Sequence, residues 1–202
     1  PYELSLSEDA SVQTVGRRDF DGQLDFPFTA HPKVDPRTGE LLFFGYQLDK
    51  KPYCKLGFVN ADGEWVKSFA VDFDQPRMMH DCAITENYMI IIGTSIVFNP
   101  EEMVKQNALP FAVDSEKPML FGVVPRTATS QDEIQWFEMP AGTVFHTVNA
   151  WENGDLIELS DSRALEVEEV YDMLHPLMPE RSHLEFEERQ DTDFSYSIQG
   201  LA

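Results

Sequence analysis

Short apolar runs separated by turn residues dominate the pattern of hydrophobic and polar positions along this chain. Residues 88–98 form a nearly continuous run of isoleucine, valine and other apolar residues, which is typical of a strand buried on both faces. Residues 55–60 and 65–73 flank the turn sequence ADGE and predict a hairpin, because Asp-Gly readily adopts positive φ. Further strands are predicted at 40–48, 119–124, 134–138, 142–150 and 155–160. The pattern therefore predicts an all-β fold such as a sandwich, a barrel or a propeller.

Helical patterns are scarce. Asn99, followed by Pro100 and two glutamates, is typical of a helix N-cap with an acidic first turn, which predicts a short helix to about residue 106. Residues 165–174 are compatible with a second helix. Beyond residue 160 the sequence becomes acidic and contains two proline breaks, so we interpret 161–193 as an acidic insertion with a solvated surface.

Composition and charge narrow the range of partners. The net charge of −21 disfavours nucleic acid and anionic lipid, because their recognition needs clusters of lysine and arginine. Hydrophobic residues make up 42% of the 202 residues, which is enough to form a packed core. No apolar run reaches the roughly 18 residues that indicate a transmembrane helix. Cys54 and Cys82 lack the spacing of a redox or metal motif and are expected to be buried free thiols.

Three histidines lie where a strand-like apolar run begins or is interrupted: His31, His80 and His146. Their apolar neighbours lead us to expect that each side chain points into an interior. Imidazole is a common ligand of iron, zinc, copper and nickel, and several converging imidazoles suit such a metal. The three positions are far apart along the chain, which excludes a helical HExxH motif or a zinc finger. A site formed by them needs a fold that returns the chain repeatedly to one axis.

Four segments around these positions stand out: AHPKVDPRTGE at 30–40, MMHDCAITENY at 78–88, FGVVPR at 121–126 and FHTVNAWE at 145–152. In this order they resemble motifs of the carotenoid cleavage oxygenases, in the form found in plants and algae. The resemblance extends from about residue 26 to about residue 159 and is weaker at both ends.

The resemblance implies part of a seven-bladed β-propeller, with short helices in inter-blade insertions and one non-haem Fe(II) held on its axis by four histidines. His31, His80 and His146 match the first three ligands, whereas nothing in the sequence matches the fourth ligand or the glutamates that would orient the ligands. His175 and His183 lie in different surroundings and are expected to be structural. Residues 1–202 would then form about half of one propeller domain, as an internal fragment, with 161–193 as an insertion.

The activity that the resemblance implies is oxidative cleavage of a carotenoid C=C bond with O2, which gives two apocarotenoid carbonyl products. The partners would be the carotenoid and dioxygen, without an organic cofactor. Because a fourth ligand is missing, we expect the isolated chain to be inactive or nearly so and its full-length parent to be active. Family members contact the membrane through an apolar patch, to which residues 103–111 could contribute as a peripheral contact. Plastid and cytoplasm are both expected as locations.

Other side chains near the motifs are assigned structural roles. Asp81 is expected to be a hydrogen-bonding group rather than a ligand. Glu152 lies too far along an extended strand from the nearest histidine to reach the metal, and is expected to be structural or to form a surface ion pair. Three aromatic residues are expected to pack in the core, with the lining of a substrate tunnel as the alternative: Phe28, Phe145 and Trp151.

Two other functions are consistent with the residues. Three histidines on a β-scaffold could bind zinc and activate water, as in a hydrolase. A truncated protein that lacks the fourth ligand could instead bind a carotenoid without cleaving it, or serve a structural role. Stoichiometric iron would support the oxygenase, zinc with hydrolysis would support the hydrolase, and a bound chromophore without turnover would support the inactive protein.

Overall fold

The computed structural model describes residues 1–98, 100–106, 111–161, 164–166 and 195–199. Within these ranges the only helical segments are α1 (Pro100–Gln106) and a 3-10 turn at Gln131–Glu133. The strands are β1 (Tyr2–Leu6), β2 (Val12–Arg17), β3 (Lys33–Val34), β4 (Leu41–Tyr46), β5 (Cys54–Val59), β6 (Trp65–Val71), β7 (Cys82–Ile84), β8 (Tyr88–Gly93), β9 (Ile96–Phe98), β10 (Phe111–Val113), β11 (Met119–Pro125), β12 (Gln135–Met139), β13 (Gly142–Val144), β14 (Thr147–Asn153), β15 (Leu156–Asp161), β16 (Ala164–Glu166) and β17 (Ser195–Gln199).

Three larger sheets follow one another along the chain. The first contains β3, β4, β5 and β6 in that order, the second has the order β12-β11-β8-β7, and the third has the order β14-β15-β17. Two-stranded pairs are formed by β1 with β2, β9 with β10, and β13 with β16. All of these pairings are antiparallel. The all-β prediction is confirmed, and the strands of the described ranges do not close into a ring.

The second sheet lies between two hydrophobic cores because β8 is apolar on both faces. Successive side chains of a strand point to opposite faces. Met89 and Ile91 pack with residues of β4 and β5. Ile90 and Ile92 pack with residues of β15. None of the four side chains is more than 1% exposed, so the prediction of a strand buried on both faces is confirmed for β8.

The predicted strand at 88–98 is wrong at its centre, where the chain leaves β8 and begins β9. The break falls at Thr94 and Ser95, whose side chains bond to distant backbone groups. The Thr94 hydroxyl donates to the carbonyl oxygen of Met78 at 2.8 Å, and the Ser95 hydroxyl donates to that of Lys117 at 2.7 Å. These bonds turn the backbone out of the ladder of β8, and β9 pairs with β10 instead.

The predicted strand at 142–150 is also interrupted. It forms β13 and β14, which pair with β16 and β15 and so belong to different sheets. The chain crosses between these sheets at Phe145 and His146, which lie in neither strand. The other predicted strands are confirmed, with ends that differ by one or two residues. The apolar pattern does not predict the hairpin of β1 and β2, whose residues are almost all exposed.

The helix predictions have different outcomes. The short helix expected to end at about residue 106 is confirmed as α1. The second predicted helix is wrong at its start, where Ala164–Glu166 forms β16 because pairing with β13 overrides the local helical pattern. The rest of that segment, and nearly all of the predicted insertion at 161–193, lies outside the described residues. No helix within the described ranges is long and apolar enough to cross a bilayer.

The segment before His31 is fixed by close packing against β4. Gly45 permits this approach, because a Cβ at that position would collide with the carbonyl oxygen of Pro27. The backbone N–H of Thr29 donates to the carbonyl oxygen of Phe44 at 2.9 Å. The first candidate histidine is therefore carried by a segment that is bonded to the first sheet.

The two cysteines are buried free thiols, as predicted. Burial raises the pKa of the Cys82 thiol to about 12. Burial, with a contribution from Cys82, also raises the pKa of Cys54. Both thiols are therefore protonated at neutral pH and pack as small apolar groups.

Candidate metal centre

Each candidate histidine lies just before the first strand of one of the three larger sheets. His31 precedes β3, His80 precedes β7 and His146 precedes β14. Strand β7 contacts both β3 and β14. The three sheets thus bring residues that are far apart along the chain to one place, as the sequence pattern requires of a shared site.

The ring nitrogens of these histidines converge. Nε2 of His80 lies 3.0 Å from Nε2 of His31 and 3.2 Å from Nε2 of His146. The potential ligand atoms of all three rings lie within 4.8 Å of one another. The rings of His31 and His146 meet edge to face, with centroids 4.9 Å apart. The structure places the three side chains together, and their role as metal ligands stays a prediction.

The spacing of the nitrogens fits one shared metal ion. Two nitrogens about 2.1 Å from a metal lie about 3.0 Å apart at right-angled positions and about 3.4 Å apart at tetrahedral positions. The separation of 3.0 Å matches the right-angled arrangement, and the separation of 3.2 Å lies midway between the two arrangements. Imidazoles at neighbouring right-angled positions leave other positions open for a further ligand and for a reactant.

The electrostatics of the cluster favour a neutral imidazole at its centre. Burial lowers the pKa of His80, and charge on His31 or His146 lowers it further, whereas the carboxylate of Asp81 opposes the shift. A neutral imidazole has the lone pair that a metal requires, while a protonated one does not.

The expectation that all three side chains point into an interior is wrong for His146. His31 and His80 are partly buried, but His146 is exposed. Neighbouring residues of an extended segment face opposite sides, and here Phe145 takes the inward position. Its ring lies edge-on to the ring of His80, with centroids 5.6 Å apart, and packs against Ile96. The prediction that Phe145 packs in the core is thereby confirmed, at a place where the core borders the cluster.

Thr29 connects two of the histidine segments. Its hydroxyl accepts a hydrogen bond from the backbone N–H of His31 at 3.0 Å. The same hydroxyl donates to the carbonyl oxygen of His80 at 3.4 Å. The backbones that carry these two rings are therefore joined directly.

Asp81 is a hydrogen-bonding group, as predicted. Its side chain is 3% exposed and lies 2.8 Å from the ammonium nitrogen of Lys33. It also accepts a hydrogen bond from the backbone N–H of Thr147 at 2.8 Å. Burial alone would raise the pKa of Asp81, but Lys33 and the two backbone N–H donors of Thr147 and Cys82 outweigh burial and lower the pKa. The carboxylate is therefore charged at neutral pH.

The remaining candidates lie apart from the cluster. Glu152 is structural, as predicted, because it accepts hydrogen bonds from the backbone N–H and the side-chain amide of Asn87 at 2.7 and 2.8 Å. Phe28 packs on Phe43 in the core, with ring centroids 4.4 Å apart. Core packing is wrong for Trp151, which is 40% exposed and lines an open groove. His175 and His183 lie outside the described residues.

The groove has a volume of about 520 Å³ and is lined by residues of β3, β7 and β14. Arg126 forms part of its wall and donates to the carboxylate of Asp35 at 2.7 Å and to the carbonyl oxygen of Thr85 at 2.6 Å. Sequence reasoning assigned no role to this pair. The available signal was an arginine directly after the apolar strand of the motif FGVVPR.

Comparisons with known proteins identify relatives of this chain. The family described as retinal pigment epithelial membrane protein matches residues 1–199. A carotenoid 9,10(9',10')-cleavage dioxygenase 1 from Phaseolus vulgaris is 44% identical over 163 residues, which cover 81% of this chain and 30% of that protein. A 9-cis-epoxycarotenoid dioxygenase from Arabidopsis thaliana, named as chloroplastic, is 35% identical over 152 residues, which cover 75% of this chain and 26% of that protein.

The fold of this chain is also similar to that of a solved dioxygenase structure. The lignostilbene dioxygenase of Pseudomonas brassicacearum superposes with a TM-score of 0.63 and 32% identity, over 78% of this chain and 35% of that one. The chain thus spans about a third or less of the length of the relatives that it matches. The family match extends beyond the segment that carries the four motifs, to nearly the whole chain. The chain belongs to the carotenoid cleavage oxygenase family, the family of the retinal pigment epithelial membrane protein.

Proposed function

We infer that the protein to which this chain belongs is a non-haem Fe(II) dioxygenase that cleaves a C=C bond of a carotenoid with O2. The observation that carries this function is the convergence of His31, His80 and His146 within 4.8 Å in a member of the carotenoid cleavage oxygenase family. The reaction breaks one C=C bond and forms two C=O bonds, each with one atom of O2. It therefore balances without a further oxidant or an organic cofactor, and gives two apocarotenoid aldehydes or ketones.

The chain supplies the ligands and fixes their positions. His31, His80 and His146 would hold the metal through the nitrogens that converge in the cluster. Iron held there would supply the chemistry that activates O2. Phe145 packs against the ring of His80 in an edge-to-face contact, which restrains the orientation of that ring. Thr29 holds the backbones of two ligands at a fixed separation.

The carotenoid is proposed as substrate because two relatives are named for carotenoid and epoxycarotenoid cleavage. A polyene dissolves in lipid, so access to the site would require peripheral contact with a membrane. Segment 103–111 is proposed for this contact. Its residue Val104 is 78% exposed on α1, beside a single lysine, Lys105. A plastid location is supported by the relative named as chloroplastic, and the cytoplasm is the alternative.

Residues 1–202 are proposed to belong to one β-propeller domain, with 161–193 as an insertion. A propeller arranges antiparallel sheets around a central channel. The support is the repetition of antiparallel sheets whose first strands, β3, β7 and β14, come together and each follow a candidate histidine. In this arrangement the three sheets are neighbouring blades and the histidines lie at one end of the channel.

Metal content tests the assignment of the ligands. The chain is loaded anaerobically with Fe(II), and the bound metal is quantified by mass spectrometry. We expect one iron per chain, loss of iron in His80→Gln, and wild-type iron in the matched control His183→Gln, which changes a histidine outside the motifs. Exclusive binding of zinc with hydrolytic activity would instead support a hydrolase, and equal iron in both variants would remove the ligand assignment.

Cleavage under labelled dioxygen tests the reaction. A full-length protein that contains this chain is expected to convert a carotenoid in detergent micelles into two carbonyl products, each labelled from ¹⁸O2. The 202-residue chain alone is expected to be inactive or nearly so, because it matches three of the four implied ligands. Bound carotenoid without products from the full-length protein would favour a catalytically inactive binding protein.

A further inference from the structure

Asp81 is a buried carboxylate whose partners lie beside the candidate histidines. It directly follows the middle histidine of the cluster. Its Oδ1 atom lies 2.8 Å from the ammonium of Lys33, two residues after His31. Its Oδ2 atom accepts a hydrogen bond at 2.8 Å from the backbone N–H of Thr147, the residue after His146. One carboxylate therefore links all three segments that carry the cluster.

Further hydrogen bonds join the same segments. The Thr147 hydroxyl lies 3.0 Å from Oδ2 of Asp81 and 2.7 Å from the carbonyl oxygen of Cys82, so it can donate to either. The backbone N–H of Cys82 donates to Oδ1 of Asp81 at 2.7 Å. The Cys82 thiol donates weakly to the carbonyl oxygen of His31 at 3.8 Å. Asp81 lies at the centre of this network, and none of these bonds involves an imidazole ring.

We propose that Asp81 is the positioning residue of the metal centre, which holds the three histidine segments at the separation that one metal ion requires. It acts through Lys33 and Thr147 and does not contact the metal. This role depends on the proposed function, because it assumes that the three histidines bind one ion. It differs from the role of the implied glutamates, which would orient the rings themselves.

The chemistry of the network requires a carboxylate. Both oxygens of an ionised aspartate accept hydrogen bonds. Here the Lys33 ammonium and the backbone N–H of Cys82 face Oδ1, and the backbone N–H of Thr147 donates to Oδ2. Asparagine keeps the shape but replaces one oxygen by an NH2 group. That group would face either Lys33 or the N–H of Thr147, which places two donors against each other in a buried position. The segments would separate to relieve this contact, and the ring nitrogens would lose their spacing.

Asp35 provides a matched control. It is 2% exposed, and it accepts hydrogen bonds from the backbone N–H of Arg37 at 2.9 Å and from the guanidinium of Arg126 at 2.7 Å. Neither partner is adjacent to a candidate histidine. Asp35→Asn therefore removes the same charge from an equally buried network without changing a contact of the three histidine segments.

Co(II) titration of the complete 202-residue chain tests this role. The visible absorption of bound Co(II) gives the affinity, and the position and intensity of its bands report the coordination geometry. Asp81→Asn is expected to weaken Co(II) binding by about 10- to 100-fold, as for other residues that position metal ligands, and to shift the bands. Asp35→Asn is expected to retain the wild-type affinity and spectrum. Urea unfolding of each variant shows how much stability it has lost.

The outcomes separate this role from the proposed function. If the wild-type chain binds neither Co(II) nor Fe(II), the proposed function fails and the role of Asp81 fails with it. If the wild type binds Co(II) and Asp81→Asn binds it with equal affinity and spectrum, only the role of Asp81 is overturned. An equal loss of affinity in Asp81→Asn and Asp35→Asn also overturns it, because general destabilisation would then explain both.

Variants of Thr147 decide the question if Asp81→Asn does not fold. Thr147→Val removes the hydroxyl at similar volume, whereas Thr147→Ser retains it. The valine variant is expected to bind Co(II) several-fold more weakly, and the serine variant is expected to keep the wild-type affinity. Equal affinity of the two variants would overturn the proposal.

Discussion

Two regions of the molecule each contain a buried carboxylate, Asp35 and Asp81, at 2% and 3% exposure. Each lies within 2.8 Å of a cationic side chain and also accepts backbone hydrogen bonds. Asp35 joins the loop after β3 to the end of β11, where it reaches Arg126. Asp81 instead joins residues that neighbour the histidines. Burial alone therefore does not show whether an ion pair serves the fold or the candidate metal centre. The difference is that the partners of Asp81 adjoin the candidate histidines, whereas those of Asp35 do not.

The two regions also differ in how much their stability is expected to depend on the cation that faces the carboxylate. The side chain of Arg126 is 12% exposed and bonds to both Asp35 and the carbonyl oxygen of Thr85. The side chain of Lys33 is 25% exposed, and within the described ranges its ion pair is with Asp81. We therefore expect loss of the cation to affect stability most at Asp35, and loss of the carboxylate to affect metal binding only at Asp81.

The largest effect on stability is expected for Arg126→Met. It removes the nearer of the two guanidiniums that face a carboxylate only 2% exposed, so the free energy of unfolding should fall by about 3–5 kcal/mol. Urea unfolding followed by circular dichroism measures this loss. Co(II) affinity should not change in the fraction that is folded, because no partner of Arg126 is adjacent to a candidate histidine.

Arg126→Lys provides the control for that variant. Lysine keeps the charge but cannot bond to Asp35 and Thr85 in the geometry of a guanidinium. Its loss of stability should be smaller than that of the methionine variant, and it allows a measurement if the latter is unfolded without urea. A loss below about 1 kcal/mol in Arg126→Met would place this pair among surface ion pairs and remove the contrast between the regions.

A smaller effect is expected from acid. The backbone N–H of Arg37 and the guanidiniums of Arg37 and Arg126 hold the pKa of Asp35 well below its usual range, although burial opposes them. A carboxyl group with a lowered pKa stabilises the fold above its usual pKa of about 4, and this contribution is lost as the pH falls further. The difference in unfolding free energy between the wild type and Asp35→Asn should be constant from pH 7 to about pH 5 and should shrink below about pH 4. A difference that does not change down to pH 3 would contradict the assignment.

The smallest effect is expected for Arg37→Ala. The Arg37 side chain is 55% exposed, and its contacts with Asp35 are long, at 3.4 Å. Its backbone N–H, which remains in the variant, provides the shorter bond to Asp35 at 2.9 Å. The free energy of unfolding should fall far less than in Arg126→Met in the same urea assay, because exposed ion pairs contribute little. If Arg37→Ala lost as much stability as Arg126→Met, the exposure of the two arginine side chains would not explain their contributions to stability.

Much of the secondary structure could be predicted from the chain because the apolar runs have the length and composition of buried strands. The interruptions of the strands predicted at 88–98 and 142–150 could not be predicted, since they depend on residues that are distant along the chain. Thr94 and Ser95 look like ordinary strand residues until Met78 and Lys117 are placed beside them. Likewise, residues 165 and 166 fit a helix by local pattern and form part of β16 because β13 is available to pair with them.

The candidate site could be predicted in part for a similar reason. The surroundings of His31, His80 and His146 identify them without any structure, since the signal is local. The hydrogen bonding of Asp81 could also be expected, but its partners could not be named. Periodicity along a strand gives the face on which a residue lies, and it contains no information about which remote segment faces it.

The histidine cluster also bears on the order of folding. Each of the three sheets contains at least one hairpin between strands that follow each other in the chain, and such hairpins can close early because the intervening loops are short. The cluster joins positions separated by 49 and 66 residues, so it forms only after the sheets have docked against one another. An ion that binds the docked arrangement alone adds its binding free energy to the docked state. Such an ion would stabilise the contacts between sheets, and its removal would destabilise those contacts before it affected the hairpins within each sheet.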